Sequence, residues 1–174
     1  MYELKLRGDG IANRGHHSLG SGTSLRYPRS YAELRLYARR HPSPKTRRAV
    51  DEIETEVTES GWRWVRGSGQ KHLEVFYGAA TEIFNEVANA TLGIKFESGP
   101  GNSLIARWDF RFPVEDIVLN LLHRRHPTRR LALVDGQKAF VRDGCGVRME
   151  KADAYAGVID GTPYKSTGAI ATDR

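Results

Sequence analysis

Val114, Ile117, Val118, Leu121 and Leu122 recur at i, i+3, i+4, i+7 and i+8. That spacing lays an apolar stripe along one face of a helix. It predicts a helix over about 114–126, ended by Pro127. The same logic places three more. Ser30 and Glu33 form a capping-box pattern ahead of a short helix at 31–41, which Pro42 ends. Ser43 and Pro44 open a second helix at about 44–60, striped by Val50, Ile53 and Val57 and stopped by Gly61. Ile83, Phe84, Val87 and Ala88 mark a third at 79–92.

Between them the period shifts towards two. In "GWRWVRGSGQKHLEVFYG" (61–78), Trp62 and Trp64 alternate with Arg63 and Val65. Leu73, Val75 and Tyr77 alternate with His72, Glu74 and Phe76 across Gly67-Ser68-Gly69, which predicts a β-hairpin. "GIKFES" and "SLIARWDFRF" predict a second strand pair around Gly99-Pro100-Gly101-Asn102. In it Leu104, Ala106, Trp108, Phe110 and Phe112 share one face, and Arg107, Asp109 and Arg111 the other. Aromatic residues on such apolar faces are expected in the core, Trp64 and Trp108 among them. Past 130, Asp-Gly pairs at 135–136, 143–144 and 160–161 punctuate β-prone segments and predict a meander.

The pattern predicts an α+β fold. An antiparallel sheet carries helices packed on one face, in an αβββα-like core with an inserted helix, and a C-terminal β-meander follows. Three regions are expected: a glycine-rich arm at 1–30, the core at 31–128 and a β-rich extension at 129–174. Five glycines (8, 10, 15, 20 and 22) with Ser18, Ser21 and Ser24 argue against regular structure in the arm.

Composition narrows the setting. One cysteine, Cys145, excludes an intramolecular disulfide and a cysteine-rich zinc site, and it fits a reducing compartment. No apolar run approaches the roughly 18 residues of a membrane span, and the first residues lack a secretory apolar stretch. A cytoplasmic protein with no membrane partner and no cofactor is expected. His16 and His17 are adjacent but lack a third ligand, so they read as polar loop residues. No metal-ligand set stands out; Asp109, Glu115 and Asp116 form only a loose acidic group. "GSGTS" lacks the lysine of a phosphate-binding loop, and no histidine adjoins Cys145.

Charge changes the picture most. The net charge is +6, and it is segregated. Residues 26–48 hold eight cationic side chains against Glu33, a net of +7; residues 49–60 hold five acids and no base. "ARRHPSPKTRR" (38–48) is echoed by "HRRHPTRR" (123–130). Two readings stand side by side. Cations at a helix C-terminus interact favourably with its dipole, by about 0.3–1 kcal/mol each. That accounts for Arg39, Arg40, Arg124 and Arg125, but not for Arg47, Arg48, Arg129 and Arg130 beyond the prolines. The second reading is a phosphate-binding surface, since an excess of Arg and Lys favours polyanionic partners. Nucleic acid is the partner expected, RNA ahead of DNA.

Gly61-Trp62, Gly67-Ser68-Gly69, His72 and Pro113 resemble, over about residues 45–126, the core of HicA-type mRNA interferase toxins. That family has a double-stranded-RNA-binding-like fold. This chain differs by placing its histidine three positions past Gly69 and by inserting about residues 79–100. The resemblance implies a metal-independent endoribonuclease. His72 would be general base on a ribose 2′-hydroxyl. Lys71, Arg66 or a clustered arginine would stabilise charge on the phosphate. The alternative expectation is a subunit of a larger assembly, a phage virion or ribonucleoprotein component, that self-assembles without catalysis.

Overall fold

The computed structural model describes residues 17–19, 23–25, 27–28 and 30–155. The fold is α+β. A short ladder, β1 (His17–Leu19) against β2 (Thr23–Leu25), stands where the glycines and serines argued for an irregular arm. Tyr27 then ties the chain to the helices, its hydroxyl 2.7 Å from Thr81 Oγ1 and its ring edge-on to Phe84.

Helix α1 (Tyr31–Ala38) starts with the expected capping box: Ser30 Oγ accepts from Glu33 N, and Glu33 accepts from Ser30 N. Helix α2 (Pro44–Ser60) has Pro44 in its first turn, but Ser43 makes no side-chain cap. His41 takes that role. Its Nδ1 accepts from Ser43 N at 3.2 Å, its Nε2 faces Glu82 at 3.4 Å, and its ring lies 5.3 Å from that of Phe112. Gly61 ends α2 at φ 80°, ψ 152°, a conformation that glycine alone adopts without strain.

The next stretch corrects the reading of a hairpin. Residues Trp62–Gly67 form helix α3, and Lys71–Gly93 form one 23-residue helix, α4, that absorbs the expected second strand and third helix. Leu73, Phe76, Ala80, Ile83, Val87 and Ala90 keep the 3.6-residue period throughout and are buried. Gly78 lies mid-helix on the exposed face. The strand–turn–strand that carried the family resemblance is therefore a helix–turn–helix, hinged at Gly69 (φ 65°).

The sheet holds β3 (Glu97–Gly99), β4 (Ser103–Arg107), β5 (Arg130–Asp135), β6 (Lys138–Asp143) and β7 (Gly146–Lys151), in that spatial order. It is mixed. Helix α5 (Glu115–His123) crosses between β4 and β5, which pair in parallel from Ser103↔Arg130 to Arg107↔Val134, and every other pairing is antiparallel. The expected meander is β5–β7 of this same sheet. Its first two Asp-Gly signals are hairpin turns, with Gly136 at φ 56°; the third, at 160–161, lies outside the described residues.

Apolar packing follows from this order. The amino-terminal half of α4 packs with α1, α2 and α3 around Phe76, Leu34, Ile53 and Val65. Its carboxyl-terminal half packs with α5 onto one sheet face through Ile83, Val87, Leu119, Leu131 and Leu133. The opposite sheet face buries Ile105, Ala132, Val134, Ala139 and Val141 beside Tyr155. Strand β5 is thus apolar on both sides, which is why "LALV" does not alternate.

Candidate nucleic-acid interface

The first turns of α2 place Lys45 and Arg48 three positions apart, on one side of the helix. The first turn of α4 sets Lys71 and His72 against them, because α4 packs on α2. Together they line a cleft of about 460 Å3 floored by Ala49 and Val75, with Glu52 as its one acid. Lys45, Arg48 and Lys71 are exposed. Among the described residues none of the three has an ion-pair partner. Lys45 and Lys71, in the first turns of α2 and α4, also oppose the helix dipoles. The first turn of α2 has no acid; α4 has no side-chain cap from Gln70 and one acid, Glu74, in its first turn. An anion is stabilised at such ends and a cation is not.

His72 sits at the inner wall, its side chain 18 % exposed. Both ring nitrogens turn towards α2: Nδ1 lies 3.6 Å from Glu52 and Nε2 lies 3.2 Å from Glu56. A general base needs a nitrogen lone pair open to the substrate. This geometry suits a link between α4 and α2 better.

Most arginines of the two clusters are engaged within the fold. Arg39 donates Nε and Nη2 to the two carboxylate oxygens of Glu54, each at 2.7 Å, and lies 3.7 Å from Asp51. Arg35 reaches the same carboxylate at 2.6 Å. Arg40 grips Asp116 with both terminal nitrogens, at 3.0 and 2.7 Å, and donates to the Pro113 carbonyl. Arg47 donates to the Pro42 carbonyl at 3.3 Å. Arg125 reaches the Thr91 carbonyl at 3.3 Å, and burial pushes its pKa down. Arg130 donates to Glu150 and to the Tyr155 hydroxyl. Arg124, the cap of α5, is exposed, and Arg129 is half-exposed at the start of β5. Arg66 is exposed on α3, on the side of Tyr77. Of the cationic residues singled out from sequence, Arg48 and Lys71 meet, with His72 between α2 and α4.

Sequence reading missed Lys45 as part of the site; its i, i+3 spacing to Arg48 was the available signal. It also placed Trp64 in the core, whereas Trp64 is 72 % exposed. Trp62 instead packs half-buried against Tyr31, Phe76 and Tyr77. Trp108 packs partly buried against the sheet core, as expected.

The Arg35–Glu54–Arg39 staple has a pH signature. Hydrogen bonds from Arg39 first, then Arg35, hold Glu54 down from its ordinary 4.5 to about 2. A carboxylate depressed on folding contributes stability above its unfolded pKa and loses it as pH falls through the folded one. The contribution is whole at neutral pH and drains between 4.5 and about 2. Because solvent screens this partly open site, Glu54→Gln costs about 1 kcal/mol at pH 7. Urea unfolding at pH 7 and near pH 2 checks it: the two proteins converge at the acid end. An equal deficit at both pH values would contradict the ionic origin.

Other candidate groups are placed as follows. Asp116 is committed to Arg40. Glu115 is pushed up by burial, as is Asp135, to which Asp109 adds. Cys145 is an exposed free thiol in the β6–β7 turn, its backbone N–H donating to Asp143 Oδ1 at 2.9 Å. Among the described residues there is no cluster of three or more metal-type ligands, and no helix is long and apolar enough to cross a membrane. Compared with protein-family models, with curated proteins and with solved structures, the chain matches none.

Proposed function

We propose that this chain binds nucleic acid, RNA ahead of DNA, through the cleft between α2 and α4. One observation carries the reading. Arg39, Arg40 and Arg130 are neutralised by acids, while Lys45, Arg48 and Lys71 converge on a single cleft without an ion-pair partner among the described residues, Lys45 and Lys71 against the dipoles of their helices. A phosphate backbone offers the charge that this arrangement lacks.

Three phosphate contacts set the salt response. For a single strand the slope of log affinity against log salt is about −0.7 per contact, so affinity falls roughly twenty-fold between about 50 and 200 mM salt. Fluorescence anisotropy with a labelled RNA measures it. An affinity that stays flat over that range would sink the proposal.

Cleavage at the same place would require His72 to release Glu52 and Glu56, which its ring nitrogens face. If His72 serves as general base, His72→Ala abolishes cleavage of the bound RNA and leaves its binding. Undiminished cleavage removes His72 from that role, and intact RNA after long incubation with the unaltered protein leaves a binding site without catalysis.

A further inference from the structure

Trp64 is the most exposed of the large apolar side chains among the described residues. Its neighbour Val65 is 1 % exposed and anchors α3, so the helix is fixed and the indole stands in solvent by placement. Arg63 and Arg66, at i and i+3, are exposed on one side of α3 and Trp64 stands on the adjoining side; neither arginine forms an ion pair among the described residues. Glu59, the nearest acid in sequence, joins neither arginine. Between the arginines, Trp62 and Gly67 line a depression of about 370 Å3. A side chain at Gly67 would meet nothing within 4 Å, so the surface beside Trp64 is open.

We infer that α3 is a stacking platform for a single-stranded segment of the nucleic acid proposed above, and the inference rests on that reading. An exposed indole offers a π face, which any unpaired base can cover. The guanidinium groups of Arg63 and Arg66 supply charge for the flanking phosphates and stack on bases in their own right. A duplex does not fit this use. Its bases already stack on one another, and a helix of six residues, about 9 Å long, is too short to lie along a major groove. Charge complementarity thus selects a nucleic acid over an apolar peptide, and the open ring selects a single strand over a double one.

The test uses the full chain, a labelled oligouridine of about 20 nucleotides and an RNA duplex of equal length. Trp64→Ala weakens binding of the oligouridine by about 5- to 100-fold, and Trp64→Phe restores most of it. Duplex binding is unchanged in both variants. Because the indole is 72 % exposed, the thermal midpoint of either variant stays within a degree or so of the parent. If Trp64→Ala binds the oligouridine as tightly as the parent, the stacking platform is wrong while the cleft stands. If Trp64→Ala instead abolishes self-association in sedimentation, α3 is a protein contact and the inference falls. If neither oligonucleotide binds the parent, the nucleic-acid reading itself fails.

Discussion

Replacing Phe76 with alanine lowers the unfolding free energy by about 3–5 kcal/mol. The ring is fully buried. It lies 6.4 Å from the Tyr31 ring, 6.2 Å from Trp62 and 5.9 Å from Tyr77, centroid to centroid. Leu34, Ile53 and Val65 close the same cluster from α1, α2 and α3, so all four helices of this layer share one contact. Deleting the ring removes its transfer free energy and leaves a void, and helices joined by short connections cannot close inwards far enough to fill it. Against a typical total of about 5–15 kcal/mol, the loss is a large fraction. Urea unfolding should show a lower midpoint with an unchanged slope. A cost under about 1 kcal/mol would mean that the cluster is not packed as described.

Reversing two of the cleft cations, Arg48→Glu with Lys71→Glu, should cut RNA affinity by about 100-fold or more at low salt, because two attractive phosphate contacts become repulsive. The same variant should unfold within about 1 kcal/mol of the parent. Arg48 lies near the start of α2 and Lys71 is the first residue of α4. An acid at the first residue of α4 is worth about 0.3–1 kcal/mol, and the like-charge i, i+4 pair that Arg48→Glu makes with Glu52 costs about 0.2–0.5 kcal/mol, so the two nearly offset. A large loss of affinity beside a small change in stability separates a ligand site from a merely structural patch. Anisotropy titration and a thermal melt give both. Unchanged RNA affinity would remove the cleft as the contact surface.

Local rules were legible wherever a single chemical signal acted at short range. Ser30 and Glu33 marked the start of α1, Pro44 and Gly61 bounded α2, and the Asp-Gly pairs marked two turns of the meander. The misreading of 61–78 has a specific cause. Gly78 divides the apolar pattern of α4, and the half before it, from Lys71 to Tyr77, taken alone alternates well enough to pass for strand. Read across Gly78, the residues from Leu73 to Ala90 fit one helical period, and the packing they gain exceeds the roughly 1 kcal/mol that a glycine costs inside a helix.

The candidate site was half visible for a related reason. The arginine blocks showed in the sequence, but their partners did not. Arg40 meets Asp116, 76 positions away, and Arg39 meets the acidic block of α2 that looked like a separate feature. Only the fold decides which cations are neutralised. The capping of α2 by His41 was equally hidden, since it draws on the α1–α2 turn and α4 together.

Helix α4 gives the cleft a property that a loop-built site lacks. Its 23 residues span about 35 Å, with Lys71 at one end and, at the other, Gly93 so close to the indole of Trp108 that a methyl group would sit 2.8 Å from it. Near Lys71, Leu73 and Phe76 are buried against α1, α2 and α3, so the helix is held at both ends. A ligand docking there meets charges whose main-chain positions are settled in advance, and loses little of its binding free energy to freezing the protein.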